Sequence, residues 1–311
     1  MIRSALGDKS LQVSRLGLGT VQLGMAYGYD KQPPPPEDEA IRIIRQALDM
    51  GINFIDTAPA YGHSEYLVGK ACKDLAERPV IATKISIRDP GSGCFLSGQA
   101  LRDSIEQSLS SSLRQLKLDA LDLVQIHSLA TRFITSELLD MLADYRKRGL
   151  VRFWGATTYG EEAPLEALEY PEYFTSVQIP YNALDRQMES RVLPRAKAQS
   201  IGVVFRSVFL QGVLSHRLGR LPKHLIDLQE LAAPVARLAD VAGIGLGELA
   251  LRFAAFSPWV NSTIFGTTNI EELADNIRAI HLGPLPLELT EVLSRTEIAD
   301  PTMLNPGNWQ S

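Results

Sequence analysis

Short, nearly unbroken apolar runs recur along the chain: LGLGT (16–20), INFIDT (52–57), VIATKI (80–85), LDLVQIH (121–127), VRFWGAT (151–157), SVQIPYN (176–182), GVVFRSVF (202–209) and STIFGT (262–267). Runs of this length without strict alternation are expected of parallel strands covered on both faces. The segments between them carry a helical period instead. EDEAIRIIRQALDM (37–50) sets Ile41, Ile44 and Leu48 along one face. SGQALRDSIEQSLSSSLRQL (97–116) does the same with Leu101, Ile105, Leu109 and Leu113, behind Ser97 as the expected N-cap. TSELLDMLADYRKRG (135–149) begins acidic, ends basic and stops at Gly149, which suits the helix dipole and a C-terminal cap. Helices near 187–200, 246–256 and 269–280 follow the same logic, whereas Pro164 and Pro171 leave room for only a short helix in the fifth unit.

Eight strands alternating with helices fit two topologies, an open doubly wound sheet or a closed (β/α)8 TIM barrel. The barrel is preferred, because eight units fill the chain with no composition break and no linker. It is read as one domain over 1–311, with an N-terminal hairpin turning at Gly7 and Asp8 to plug the floor. An extra helix (225–241) is expected between strands seven and eight, and a C-terminal tail (300–311) with Trp309 near the active-site face.

Composition narrows the classes. A net charge of −5 and the lack of any basic block give no general attraction to nucleic acid or anionic lipid. The two cysteines, Cys72 and Cys94, match no zinc or disulfide framework. His63, His216, His224 and His281 show no ligand spacing, so no metal is expected. Without a signal-like N-terminus or an apolar run near the ~20 residues of a membrane helix, the expected location is the cytoplasm.

In a barrel the C-terminal strand ends form the working face. Strand two ends at Asp56 with Tyr61 on its loop, strand three carries Lys84 near its end, and strand four ends at His127. Singly, each has an ordinary explanation: a helix cap, packing of a loop aromatic, a solvated lysine, a structural histidine. Jointly they suit protonation of a carbonyl oxygen. A phenol is a weak acid at neutral pH, and a nearby ammonium favours its ionised form. Asp56 would hold Lys84 charged, and His127 could donate to a substrate oxygen. No side chain carries hydride, so a cofactor is required.

Taken together, LGLGT (16–20), DTAPAYGHSE (56–65), ATK (82–84), DLVQIH (122–127), VQIPYNALDR (177–186), FLQGVL (209–214) and FGTTNIEELADNI (265–277) resemble the aldo-keto reductases over nearly the whole chain. The resemblance implies a (β/α)8 barrel and NAD(P)H-dependent carbonyl reduction. It makes Tyr61 the general acid, tuned by Lys84 and Asp56, and has His127 orient the carbonyl. It places Gly19 and Thr20 against the cofactor, with Gln178 on the nicotinamide amide. Thr157 and Thr158 stand where the family often has Ser-Asn, and Arg206 where relatives place an aromatic ring against the nicotinamide. Ser207, Gln211 and Gly212 would approach the pyrophosphate. Gly266, Thr267, Thr268, Glu272, Asp275 and Asn276 would form the adenosine end, opening a helix whose N-terminus favours phosphate. Thr268 replaces the cation that usually pairs with a 2′-phosphate; Arg278 could contribute, and NADP(H) is placed ahead of NAD(H). The long loop 21–36 offers Met25, Tyr27 and Tyr29 as pocket walls. The alternative reading is a cofactor-binding regulatory or redox-sensing subunit with little turnover. A metal-assisted hydrolase on the same barrel ranks behind it. The carbonyl, sugar-derived or other, is set by loops that vary freely on this fold.

Overall fold

Among the described residues, eight of the ten strands in the computed structural model close into a parallel barrel, in the order β10-β3-β4-β5-β6-β7-β8-β9. Residues 1–296 and 300–309 are described. The barrel strands are β3 (Leu16–Gly19), β4 (Phe54–Asp56), β5 (Val80–Ile85), β6 (Leu121–Leu129), β7 (Val151–Thr158), β8 (Phe174–Pro180), β9 (Gly202–Arg206) and β10 (Ser262–Phe265). Ahead of them, β1 (Arg3–Leu6) and β2 (Asp8–Ser14) pair antiparallel as the expected hairpin. The fourth barrel strand runs past its expected end at His127 to Leu129, with an irregularity after Ile126 where Ser128 adopts φ 54°.

The helices follow in turn: α1 (Val21–Gly24), α2 (Glu37–Asp49), α3 (Ser64–Ala71), α4 (Gly98–Leu116), α5 (Ser136–Lys147) and α6 (Glu162–Ala167). The second half holds α7 (Val192–Ala198), α8 (Ile226–Ala242), α9 (Leu246–Ala255), α10 (Ile270–His281), α11 (Leu287–Arg295) and α12 (Pro301–Leu304). The extra helix α8 lies between β9 and β10 as expected, and α6 is the short helix that the prolines allow. Thr135 caps α5 by accepting from the Leu138 N–H at 3.2 Å, and Gly149 follows its end at φ 74°. Ser97 occupies the N-cap position of α4 but its hydroxyl makes no capping bond, so that expectation fails in its chemistry. No helix among the described residues is long and apolar enough to cross a membrane.

Two apolar cores divide the strands by parity. The outward residues, such as Ile55, Ile81, Val124, Ala156 and Val177, join the layer between barrel and helices. The inward ones near the floor, Phe54, Ala82, Leu123, Val204 and Ile264, form a second cluster with Leu6, Leu11 and Val13 of the hairpin. Further up six of the eight strands the inward residue is polar: Asp56, Lys84, Gln125, Thr157, Gln178 and Arg206. The alternation therefore yields a dry floor and a polar upper layer from one repeating rule.

The hairpin seals the floor by backbone contact. A Cβ on Gly202 would lie 2.6 Å from Leu6 Cδ1 and 2.8 Å from the Gly7 nitrogen. Gly202→Ala is expected to lower the thermal midpoint by about 2–6 °C, from the ~1–3 kcal/mol typical of overpacking. Differential scanning calorimetry checks it, and an unchanged midpoint would show that the hairpin does not seat tightly.

Candidate active site

Asp56 and Lys84 meet at the top of the barrel with 4% and 1% of their surface exposed. Lys84 Nζ donates to Asp56 Oδ2 at 2.7 Å and to the Thr57 carbonyl at 2.9 Å. The other carboxylate oxygen, Oδ1, accepts from Gln178 Nε2 at 2.8 Å and Gln125 Nε2 at 3.2 Å. Asp56 thus caps no helix; α3 starts eight residues later and has no side-chain cap. Burial works against the Lys84 charge, but Asp56 and the Tyr61 phenol outweigh it and push its pKa up. Gln125 went unnoticed in the sequence. Its signal was a polar residue inside an apolar run, two positions before His127 and so on the same strand face.

Tyr61 reaches the pair from the loop between β4 and α3. Its ring centroid lies 4.7 Å from Lys84 Nζ and 6.1 Å from the His127 ring, which it meets edge-on at 86°. Backbone packing fixes the loop. A Cβ on Gly24 would fall 2.1 Å from the Tyr61 carbonyl oxygen, and one on Gly62 2.4 Å from that of Gly24. The Ser64 hydroxyl bridges Thr20 Oγ1 at 2.6 Å and Thr57 Oγ1 at 2.7 Å, joining the ends of β3 and β4 to the start of α3.

The electrostatic balance at Tyr61 differs from the expectation. Burial raises its pKa, and the lowering by Lys84 does not reverse that. The phenol holds its proton at neutral pH. His127 is pushed down to about 4, by burial first and then by the Lys84 charge, so its imidazole is neutral.

These groups occupy one end of a cleft of about 790 Å³. Gly19, Thr20, Thr157, Gln178 and Arg206 line it near the barrel mouth, followed by Ser207, Gln211 and Gly212. Its far end is formed by Gly266, Thr267, Thr268, Glu272, Asp275 and Asn276. Thr158 is absent from the lining for a reason of parity. It faces outward beside the inward Thr157, with its hydroxyl buried and unpartnered and its carbonyl accepting from Arg206 Nη2 at 2.9 Å. Of the three aromatic and sulfur walls expected from the loop 21–36, Tyr27 lines the cleft and Met25 and Tyr29 do not. The end of α11 is tied to the loop after β8, since Arg186 donates to Thr296 Oγ1 at 3.1 Å. Trp309 does not line the cleft; its indole donates to the Met303 carbonyl at 2.6 Å. Gln310 and Ser311 lie outside the described residues.

Several lining residues had no signal in the sequence, among them Gln22, Tyr159, His216, Arg217, Asp240 and Glu248. Gln22 Oε1 is buried without a partner, pressed so close to Gly266 that a Cβ there would lie 2.2 Å away. A buried acceptor of this kind is costly unless something donates to it. The strand-to-loop turn after β9 holds left-handed backbone at Ser207, Leu210, Gln211 and Gly212 (φ 61°, 45°, 52° and 104°), with the Leu210 and Gly212 amides donating to the Ser207 and Phe209 carbonyls at 3.0 and 2.8 Å. At the start of α10 the expected phosphate-binding amides are partly spent. Asn269 Oδ1 accepts from the Glu271 and Glu272 N–H groups at 2.6 and 3.3 Å. Glu272 itself accepts from Thr267 Oγ1 at 2.6 Å, and Arg278 pairs with Asp275 at 2.7 Å.

The model of the Aldo/keto reductase family matches residues 15–293. The chain is 32% identical to aldo-keto reductase YhdN of Bacillus subtilis over 69% of its length and 64% of that protein. It is 28% identical to the NADH-specific methylglyoxal reductase of Escherichia coli over 95% of its length and all of that protein. Among solved structures, the holo form of aldo-keto reductase AKR11C1 from Bacillus halodurans superposes with a TM-score of 0.78 at 26% identity, covering 96% of this chain and 98% of that one.

The His127 environment has a measurable consequence. With a folded pKa near 4 against 6.5 unfolded, its contribution to stability is present above pH 6.5 and lost as pH falls toward 4. The imidazole C–H resonance is expected to titrate with a midpoint near 4 in the protein alone. A midpoint near 6.5 would mean the ring is solvated, contrary to its burial.

Proposed function

The chain belongs to the aldo/keto reductase family, and from that premise we propose that it reduces an aldehyde or ketone to an alcohol, with Tyr61 as general acid. The observation that carries this reading is the protonated, half-buried Tyr61 phenol set between the Asp56–Lys84 pair and a neutral His127 at one end of a long cleft. The chemistry of the lining fits a nicotinamide dinucleotide: an orphaned amide oxygen on Gln22 for a ligand hydroxyl, left-handed backbone after β9, and hydroxyl and acidic groups at the far end. When bound, that cofactor supplies the hydride.

The chain's own residues would handle the proton and the charge. His127, as a neutral imidazole, donates one N–H to the carbonyl oxygen and polarises it. Tyr61 gives its proton to that oxygen as negative charge develops there. The phenolate left behind is stabilised by Lys84, which Asp56 keeps charged and aimed. In the oxidative direction the same phenolate takes the alcohol proton. Gln178 is a candidate to hold the nicotinamide carboxamide through the carbonyl end of its side chain, because its Nε2 is committed to Asp56.

For the adenosine end the pairing of Arg278 with Asp275, the carboxylate of Glu272 and the uncharged Thr268 favour NAD(H) over NADP(H). A 2′-phosphate placed there would meet more acids than free cations. The relative from Escherichia coli that is NADH-specific agrees with this preference.

Tyr61→Phe is expected to cut carbonyl reduction by about 10²–10⁴-fold while the cofactor dissociation constant stays within about twofold. Full turnover by that variant would remove Tyr61 from its role. Parallel fluorescence titrations with NADH and NADPH are expected to give the tighter constant for NADH; tighter NADPH would mean that another cation, such as Arg217, turns onto the phosphate.

A further inference from the structure

Arg206 ends β9 with its side chain at the barrel mouth, and the structure holds it on three sides. Nη2 donates to the Thr158 carbonyl at 2.9 Å and Nη1 to Ser207 Oγ at 3.2 Å. The guanidinium carbon lies 4.2 Å from the centroid of the Tyr159 ring. None of these partners is an anion, and among the described residues no carboxylate lies in ion-pair range of Arg206. Asp185 is the nearby acid that shares its surroundings, and its Oδ1 accepts from Gln187 at 3.0 Å instead. The other charges at this end cancel, because Asp56 and Lys84 neutralise each other at 2.7 Å and His127 is neutral. A guanidinium does not lose its proton in proteins. This end of the cleft therefore carries one fixed positive charge.

We propose that Arg206 makes the cleft select the redox state of its cofactor, accepting the neutral reduced nicotinamide and repelling the cationic oxidised one. The inference rests on the reading above that the cleft takes a nicotinamide dinucleotide. The reacting ring must approach within about 3–3.5 Å of a carbonyl carbon whose oxygen sits at Tyr61 and His127. Arg206 and Gln178 line that same end, so a ring in reach of the carbonyl is also within a few ångströms of the guanidinium. The dihydropyridine ring is uncharged, whereas the pyridinium carries a full positive charge. Two like charges some 5–6 Å apart in a partly desolvated site weaken binding on the order of 10–100-fold. The cost falls on the oxidised form alone. The protein would stay loaded with reduced cofactor even in a largely oxidised pool, and the oxidised product of carbonyl reduction would leave readily.

The test is equilibrium binding of NADH and NAD⁺, each titrated separately into the full-length protein by calorimetry. The ratio of the two dissociation constants is the readout, with no turnover involved. In the unaltered protein NAD⁺ is expected to bind at least about tenfold more weakly than NADH. Arg206→Met, which keeps an unbranched stem and removes the charge, should shrink that ratio about tenfold or more. Arg206→Lys should retain most of it. Arg206→Gln serves as a second neutral variant if the methionine protein does not fold. An unchanged ratio in the neutral variants, or equal affinities in the unaltered protein, overturns the selection by Arg206 while leaving the cofactor site standing. Binding of neither form to the unaltered protein overturns the cofactor reading itself, and the inference with it.

Discussion

A lysine and an aspartate removed from water at the centre of a barrel have to be held, and most of the upper barrel is arranged to hold them. Desolvating two ions costs several kcal/mol each, and their attraction offsets that only if their remaining valences are filled. Here they are: Thr57 takes a second proton of Lys84, and Gln125 and Gln178 fill the second oxygen of Asp56. The bonds span β4, β5, β6 and β8 at one height. Such a network favours one register over its neighbours, because a slip of one residue would turn every one of these groups into the apolar layer outside. A well-packed apolar layer could stabilise the barrel as well. The ionic layer is therefore better understood through the chemistry it permits than through the stability it adds.

The same parity explains what the sequence disclosed and what it withheld. Continuous apolar runs marked the eight strands, since both their faces are covered, and the acids and bases at their ends marked the working face. Gln125 was hidden because a single amide in an apolar run reads as an irregularity until its partner across two strands is known. Thr157 and Thr158 were assigned together, although adjacent residues on a strand must face opposite ways. Strand ends drifted for a related reason: His127 has the chemistry of a terminus, but an irregularity after Ile126 lets the strand continue to Leu129. Loop walls were the least legible. Met25, Tyr27 and Tyr29 share one segment and similar character, and only the path of the backbone decides that Tyr27 alone reaches the cleft. The far end of the cleft draws on α8, α9 and α10, and contacts among three separate helices leave no local pattern.

Charge at the site is a sum of competing terms, and their magnitudes matter more than their identities. An ammonium beside a phenol suggests a lowered pKa, yet burial of Tyr61 outweighs Lys84. That sign is functionally sensible. A general acid has to keep its proton until the substrate oxygen becomes basic, so a phenol already ionised would have nothing to give. In the proposed reduction Lys84 would act on the phenolate after the proton has left, when its charge is worth most. His127 is depressed by burial and by the same ammonium. It is therefore a neutral hydrogen-bond donor and not a second cation competing for the developing charge.

Placement of Tyr61 is where the fold and the chemistry meet most closely. The loop that carries it packs main chain against main chain at Gly24 and Gly62, where no side chain fits, and is tied at its far side by the hydroxyls of Thr20, Thr57 and Ser64. A phenol on a free loop would lose its orientation toward Lys84 and His127. Because Gly24 closes α1 and Ser64 opens α3, the backbone that carries Tyr61 is fixed by the first two barrel units. The cleft beyond it is walled by the last two, from the left-handed turn after β9 to α10. The two halves meet where Gln22 presses against Gly266 and at the mouth, which Arg206 and Gln178 line together with Asp56, Tyr61 and His127. Under the proposed function, changes in the far wall would alter which dinucleotide is held without moving Tyr61, and the fixed charge of Arg206 would sit where both halves act on the same ring.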